Sequence, residues 1–142
     1  MKDEENEELI LNPQPSTLNR LFVFHKLQVW HLAKDLVIDI YKFTKNFPAE
    51  EKFGLTSQLN RAAVSVASNI AEGSGRISRK DQAHFTQQAY GSLMEVACQV
   101  EIACDLGLIG DNELQDIHQK IRSVAVKLSA LRSSQLREAV ER

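Results

Sequence analysis

The residues best placed to do chemistry lie between Gln58 and Lys80, in the run QLNRAAVSVASNIAEGSGRISRK. Gln58, Arg61, Ser65, Ser68, Asn69 and Glu72 follow one another at steps of three or four, which sets them along one face of a helix. Arg61 and Glu72 are eleven residues apart, so they return to within about 20° of each other but sit three turns apart, too far for a direct salt bridge. Glu95 and Gln99 are their expected partners on the next helix. Two readings stand: an interaction face or small pocket anchored by Arg61 and Glu72, or a polar seam that fixes helix register and subunit contacts.

The segment that follows, Gly73-Ser74-Gly75-Arg76 with Arg79 and Lys80, combines glycine and positive charge ahead of a helix start. Backbone N–H groups in such a turn can hold a phosphate. The run does not fit G-x-x-x-x-G-K-[ST] and no strand precedes it, which argues against nucleotide hydrolysis. Arg76, Arg79 and Lys80 remain candidate nucleic-acid contacts, set against a solvated loop of unpaired charge. Lys120, Arg122, Lys127, Arg132 and Arg137 can add to a weak basic surface. Aromatic side chains are not interleaved among them, so base stacking has no platform.

Other reactive side chains do not converge. His25, His31, His84 and His118 are spread over three segments without an H-x-x-x-H pair, and Glu95 and Glu101 lack a second carboxylate at ligand spacing. Cys98 and Cys104 are the two cysteines of the chain; six apart on one helix, they point to different sides and suit neither a disulfide nor zinc. They read as buried, reduced thiols. No catalytic residue, metal site or cofactor-binding motif emerges, and no small-molecule substrate is indicated.

The elements that carry these residues are helical. The chain has 142 residues, only three prolines and six glycines, and these cluster between long uninterrupted runs. Val29, Ala33, Leu36, Ile40, Phe43 and Phe47 mark a first helix from about Lys26 to Asn46, ended by Pro48. Leu27, Trp30, Val37 and Tyr41 widen its apolar arc beyond what a monomeric surface helix needs. The second helix runs from Glu50 or Phe53 to Glu72, its inner side rich in alanine, and Gly73-Ser74-Gly75 is expected to stop it with a left-handed glycine.

Ser78 or Asp81 then caps a third helix to about Leu106, and Gly91 in its middle suggests a tight crossing. Leu114, Ile117, Ile121, Val124, Leu128 and Leu131 define a fourth, to roughly Ser134 or on toward the C-terminus. Short links between four helices give an all-α, up-down-up-down antiparallel four-helix bundle, expected to be the protomer of a homo-oligomer. The organisation is a flexible acidic arm over residues 1–20, the bundle over 21–137 and a tail over 138–142.

Charge is uneven. Residues 1–10 hold five Asp and Glu against one Lys, whereas Arg20 to Arg137 holds 15 Lys and Arg against 12 Asp and Glu. The body is mildly basic behind an acidic arm, short of the excess usual for a dedicated nucleic-acid domain. The acidic N-terminus lacks a signal-peptide h-region and no apolar run spans a bilayer, which points to the reducing cytoplasm and away from membranes.

Phe24-x-x-Leu27-x-x-Trp30-x-x-Ala33, Tyr41, Phe47-Pro48-x-x-Glu51, Gln58-Leu59-x-Arg61-Ala62-x-x-Ser65-x-x-Ser68-Asn69-Ile70-Ala71-Glu72-Gly73 and Gly91-Ser92-Leu93-x-Glu95 together resemble the bacterial four-helix bundle proteins, also called 23S rRNA intervening-sequence proteins. The likeness runs from Phe24 to about Leu131, with Ser-Asn-Ile-Ala-Glu-Gly its most specific part. It implies a cytoplasmic protomer that assembles into a homopentamer. Some members are encoded within intervening sequences of large-subunit rRNA genes. The accessory variability protein of diversity-generating retroelements, a basic pentameric barrel that works with a reverse transcriptase and RNA, looks like a relative. The family offers no established catalytic residues to carry over. The leading expectation is a non-enzymatic, oligomeric scaffold or interaction protein; the alternative is an RNA- or nucleoprotein-binding accessory factor, for example to a reverse transcriptase.

Overall fold

The computed structural model describes residues 21–141, and four α-helices carry them: α1 Gln28–Thr44, α2 Leu55–Ser74, α3 Arg79–Asp105 and α4 Asp111–Glu141. The acidic arm expected over residues 1–20 and Arg142 lie outside the described residues. Each helix touches the two beside it, α4 closing back onto α1. Gln58 bonds Gln99 and Ser65 bonds Ser92, so rising numbers on α2 meet falling numbers on α3. Cys104 beside Asp111 and Thr86 beside Gln135 show the same for α3 and α4. Antiparallel neighbours in a closed ring make the up-down-up-down four-helix bundle.

The core follows the helical period. Val29, Ala33, Leu36, Ile40 and Thr44 are the buried positions of α1, at steps of three or four. Leu59, Ala62, Ala63, Val66, Ile70 and Gly73 face inward from α2. Leu36, Ile40, Leu59, Leu93, Ile117 and Leu128 are essentially fully buried, each stabilising the fold by about 1.5–3 kcal/mol relative to exposure. Among the described residues, no helix is long and apolar enough to cross a membrane.

The helix ends are set by local chemistry. Beyond Pro48, a 3-10 turn at Ala49–Glu51 precedes α2, and the Glu51 carboxylate accepts the Leu55 N–H at 3.1 Å. That satisfies one of the donors a helix start leaves open. Ser78 Oγ accepts the Asp81 N–H at 3.0 Å and so caps α3, as the sequence indicated. α3 ends in a Schellman turn: Leu108 N–H donates to Ala103 O at 2.8 Å, Gly107 N–H to Cys104 O at 2.9 Å, and Gly107 has φ +76°.

Four expectations need correction. α2 ends within Gly73-Ser74-Gly75 as expected, but without a left-handed glycine: the helix passes through Gly73 to Ser74, and its C-cap Gly75 has an ordinary φ of −88°. Gly73 instead permits contact, since a Cβ there would lie 2.8 Å from Phe85 Cβ. Gly91, read as a tight crossing, is exposed, and an added Cβ would meet nothing within 4 Å. The cysteines are not both buried: Cys98 is exposed and Cys104 half-buried, because the helix turns Cys98 away from the bundle. Finally, α4 runs to Glu141, so residues 138–141 are helix and not a tail. No glycine or proline after Gly110 supplies a stop.

The two glycines should therefore respond oppositely in urea unfolding. Gly73→Ala is expected to destabilise by about 1–3 kcal/mol, because the clash is with a Cβ that cannot swing aside. Gly91→Ala is expected to stabilise by up to about 1 kcal/mol through helix propensity alone.

Candidate functional site

The polar line of α2 divides into three parts. Its inner part is a small hydrogen-bond knot: Ser65 Oγ lies 2.8 Å from Ser92 Oγ, and Asn69 Nδ2 donates to Ser65 O at 2.9 Å and to Ser65 Oγ at 3.0 Å. These groups meet where α2 and α3 come close, so the knot ties the helices in register. At the far end of the same seam, Gln99 Nε2 donates to Gln58 Oε1 at 3.4 Å, while Gln99 Oε1 is buried without a partner among the described residues.

The charged members go elsewhere. Glu72 is exposed and pairs with Arg76 one turn on, at 3.2 Å. Arg61 is exposed on the side of α2 toward α1. Glu95 is exposed and makes no ion pair among the described residues. Arg61, Glu72 and Glu95 therefore do not converge on one pocket, and Gln99 bonds Gln58 instead of either charge.

The glycine-and-basic turn is largely occupied with itself. Arg76 stacks its guanidinium 4.5 Å from the Phe85 ring centre and accepts Gln82 Nε2 at its carbonyl, 2.8 Å away. Arg79 pairs with Glu138 of α4 and donates to Gln82 Oε1 at 3.1 Å. Ser74 Oγ donates back to Ala71 O. Of the three cations proposed to reach an external anion, only Lys80 makes no ion pair among the described residues. On α4, Lys120 is likewise taken up by Asp39 of α1.

The histidines are used structurally. His118 Nε2 lies 3.4 Å from Glu101 across α3 and α4, and His84 lies 3.2 Å from Gln88. His31 Nε2 is 2.8 Å from the His25 carbonyl, and His25 Nδ1 accepts the Phe22 N–H at 3.1 Å. Around them Phe24 packs on Trp30 at 4.7 Å between ring centres, with His31 edge-on to Trp30 at 5.0 Å. The sequence reading missed this aromatic cap, which roofs the start of α1; the density of rings between Phe22 and His31 was its one signal. Among the described residues, no group of three or more His, Cys, Asp or Glu is placed to hold a metal.

A second missed feature flanks α1. Between α1 and α2 runs a groove of about 670 Å³ lined by Val37, Ile38, Tyr41, Lys42, Thr44, Lys45, Thr56, Asn60 and Val64. It adjoins a hollow of about 540 Å³ at Lys52, Phe53 and Arg61, sharing Tyr41 and Val64. Phe53 is 89% exposed and Tyr41 49%. The widened apolar arc of the first helix was its trace in the sequence.

An antiparallel four-helix bundle is the class this geometry defines. The model described as 23S rRNA-intervening sequence protein matches residues 25–130, and the chain belongs to that family. A solved protein of unknown function from the S23 ribosomal protein family of Bacteroides thetaiotaomicron is similar in fold, with a TM-score of 0.64 and 21% identity. The alignment covers 70% of this chain and 94% of that one. Among curated proteins, none matches this chain.

Two expectations follow. Asn69→Ala should lower stability by about 1 kcal/mol through the opened Ser65–Ser92 knot, while Arg61→Ala and Glu72→Ala stay within about 0.5 kcal/mol; urea titration reads all three. Partial burial, together with the hydrogen bond and charge of Asp111 at 3.4 Å, raises the Cys104 thiol above its ordinary range. At pH 8 it holds less thiolate than an ordinary cysteine, so a maleimide should label Cys104 slowly. Asp111→Asn should lower that pKa and speed Cys104 labelling, followed by peptide mass spectrometry.

Proposed function

We propose that this chain is a non-enzymatic interaction protein that works as a cytoplasmic homo-oligomer, five copies being the expected number. The observation that carries the reading is the outer face of α3. Met94, Cys98, Ile102 and Leu106 follow at four-residue steps and are all exposed, Ile102 by 45% and Leu106 by 61%. A continuous apolar stripe on a surface helix is characteristic of a face that meets another protein. Sedimentation at micromolar concentration should give a multiple of the 16.0 kDa protomer. Met94→Glu with Ile102→Glu should release helical monomers; wild-type protein that sediments as a monomer overturns the reading.

The second reading is an RNA- or nucleoprotein-binding accessory factor, favoured by the exposed Lys80 at the start of α3 and by the family's rRNA-derived name. Binding to structured RNA would then weaken steeply with salt and lose about one unit of salt slope on Lys80→Glu. Affinity indifferent to both removes the reading.

A further inference from the structure

The groove between α1 and α2 has a composition that selects its occupant. Its floor is aliphatic and aromatic, from Val37, Ile38, Tyr41 and Val64, and it continues to the exposed ring of Phe53. Its rim holds Lys42, Lys45, Lys52 and Arg61, all exposed, and no carboxylate lines either the groove or the adjoining hollow. None of these four cations makes an ion pair among the described residues. An occupant must therefore be both negative and apolar.

The chain itself carries such a segment. Asp3, Glu4, Glu5, Glu7 and Glu8 run directly into Leu9, Ile10 and Leu11. We propose that this segment, Asp3 to Leu11, seats in the α1–α2 groove of its own protomer. Leu9 to Leu11 cover Ile38, Tyr41 and Val64, and the carboxylates meet the lysines and Arg61.

Reach permits it. Tyr41 lies 13 residues along α1 from Gln28, or about 20 Å at 1.5 Å per residue. The ten steps of chain from Leu11 to Leu21 span up to about 33 Å when extended. Such a tether holds the segment near the groove at an effective concentration of order mM, so weak contacts suffice. A second copy's groove fits poorly as occupant, because two sets of four cations would face each other. The groove and the hollow, about 670 and 540 Å³, each fall in the range of sites that enclose several groups.

Photocrosslinking in the full-length chain tests the proposal, with Ile10 replaced by p-benzoylphenylalanine and the adducts mapped by mass spectrometry. Adducts are expected on Val37–Lys45 and Thr56–Val64, in a product that migrates as one protomer. Lys42→Glu with Lys45→Glu should cut the yield by about tenfold. Adding Glu7→Lys and Glu8→Lys should restore it, which separates charge pairing from any loss of fold. Adducts on other helices, a product of two protomers, or a yield indifferent to the lysine changes would overturn the proposal. So would an adduct-free groove whose Tyr41 or Phe53 instead crosslinks to labelled single-stranded RNA.

Discussion

The close approach of α2 and α3 is the constraint on which the rest of the bundle depends. Gly73 lies against Phe85 with no room for a Cβ, and Ala62, Ala63 and Ala89 are buried in the same core. Small residues bring the two backbones near enough for Ser65 and Ser92 to bond directly. Dispersion across such a seam is dense but short-ranged, so it rewards one register and no other. The hydrogen-bond knot at Asn69 and the buried Thr86–Gln135 contact at 2.7 Å repeat that register on the two faces of α3. α1 is held differently, by larger side chains, and open grooves lie along both of its flanks.

Much of the fold was legible because it rests on periodicity. Stripes such as Val29, Ala33, Leu36 and Ile40 state which side of a helix is buried, and Ser78 states where α3 starts. Glycine was the residue type least readable from sequence. Gly73, Gly91 and Gly107 look alike in a one-dimensional string, yet one permits packing, one lies open and one takes a positive φ. What separates them is the distance to atoms far away in the chain, and no local pattern encodes it. Cys98 was misplaced for a related reason: its low polarity suggested burial, while the helix phase turned it outward.

The candidate site shows the same limit. Spacing on α2 correctly grouped Ser65 and Asn69, because their partnership is set by one helix turn. It also grouped Arg61 and Glu72, whose surroundings are decided by α1 and by Arg76. The basic turn was read as three free cations, but Arg79 finds Glu138 nearly sixty residues away. Long-range pairing of this kind removes charge from a surface without leaving any mark in the sequence. The groove beside α1 left only the widened apolar arc as its trace, since Lys42 and Lys45 at the end of α1, Lys52 of the following link and Arg61 of α2 are gathered only by folding.

The Arg79–Glu138 pair has an electrostatic consequence for how the helices end. A cation at a helix N-terminus and an anion near a C-terminus each oppose the macrodipole of their own helix. Here the first turn of α3 lies beside the last turns of the antiparallel α4. Arg79 thus sits against the negative end of α4, and Glu138 against the positive end of α3. Each charge is misplaced for its own helix and correctly placed for its neighbour. The beginning of one helix and the ending of the other are consequently a single electrostatic unit, and shortening α4 would leave Arg79 repelled by the terminus that bears it.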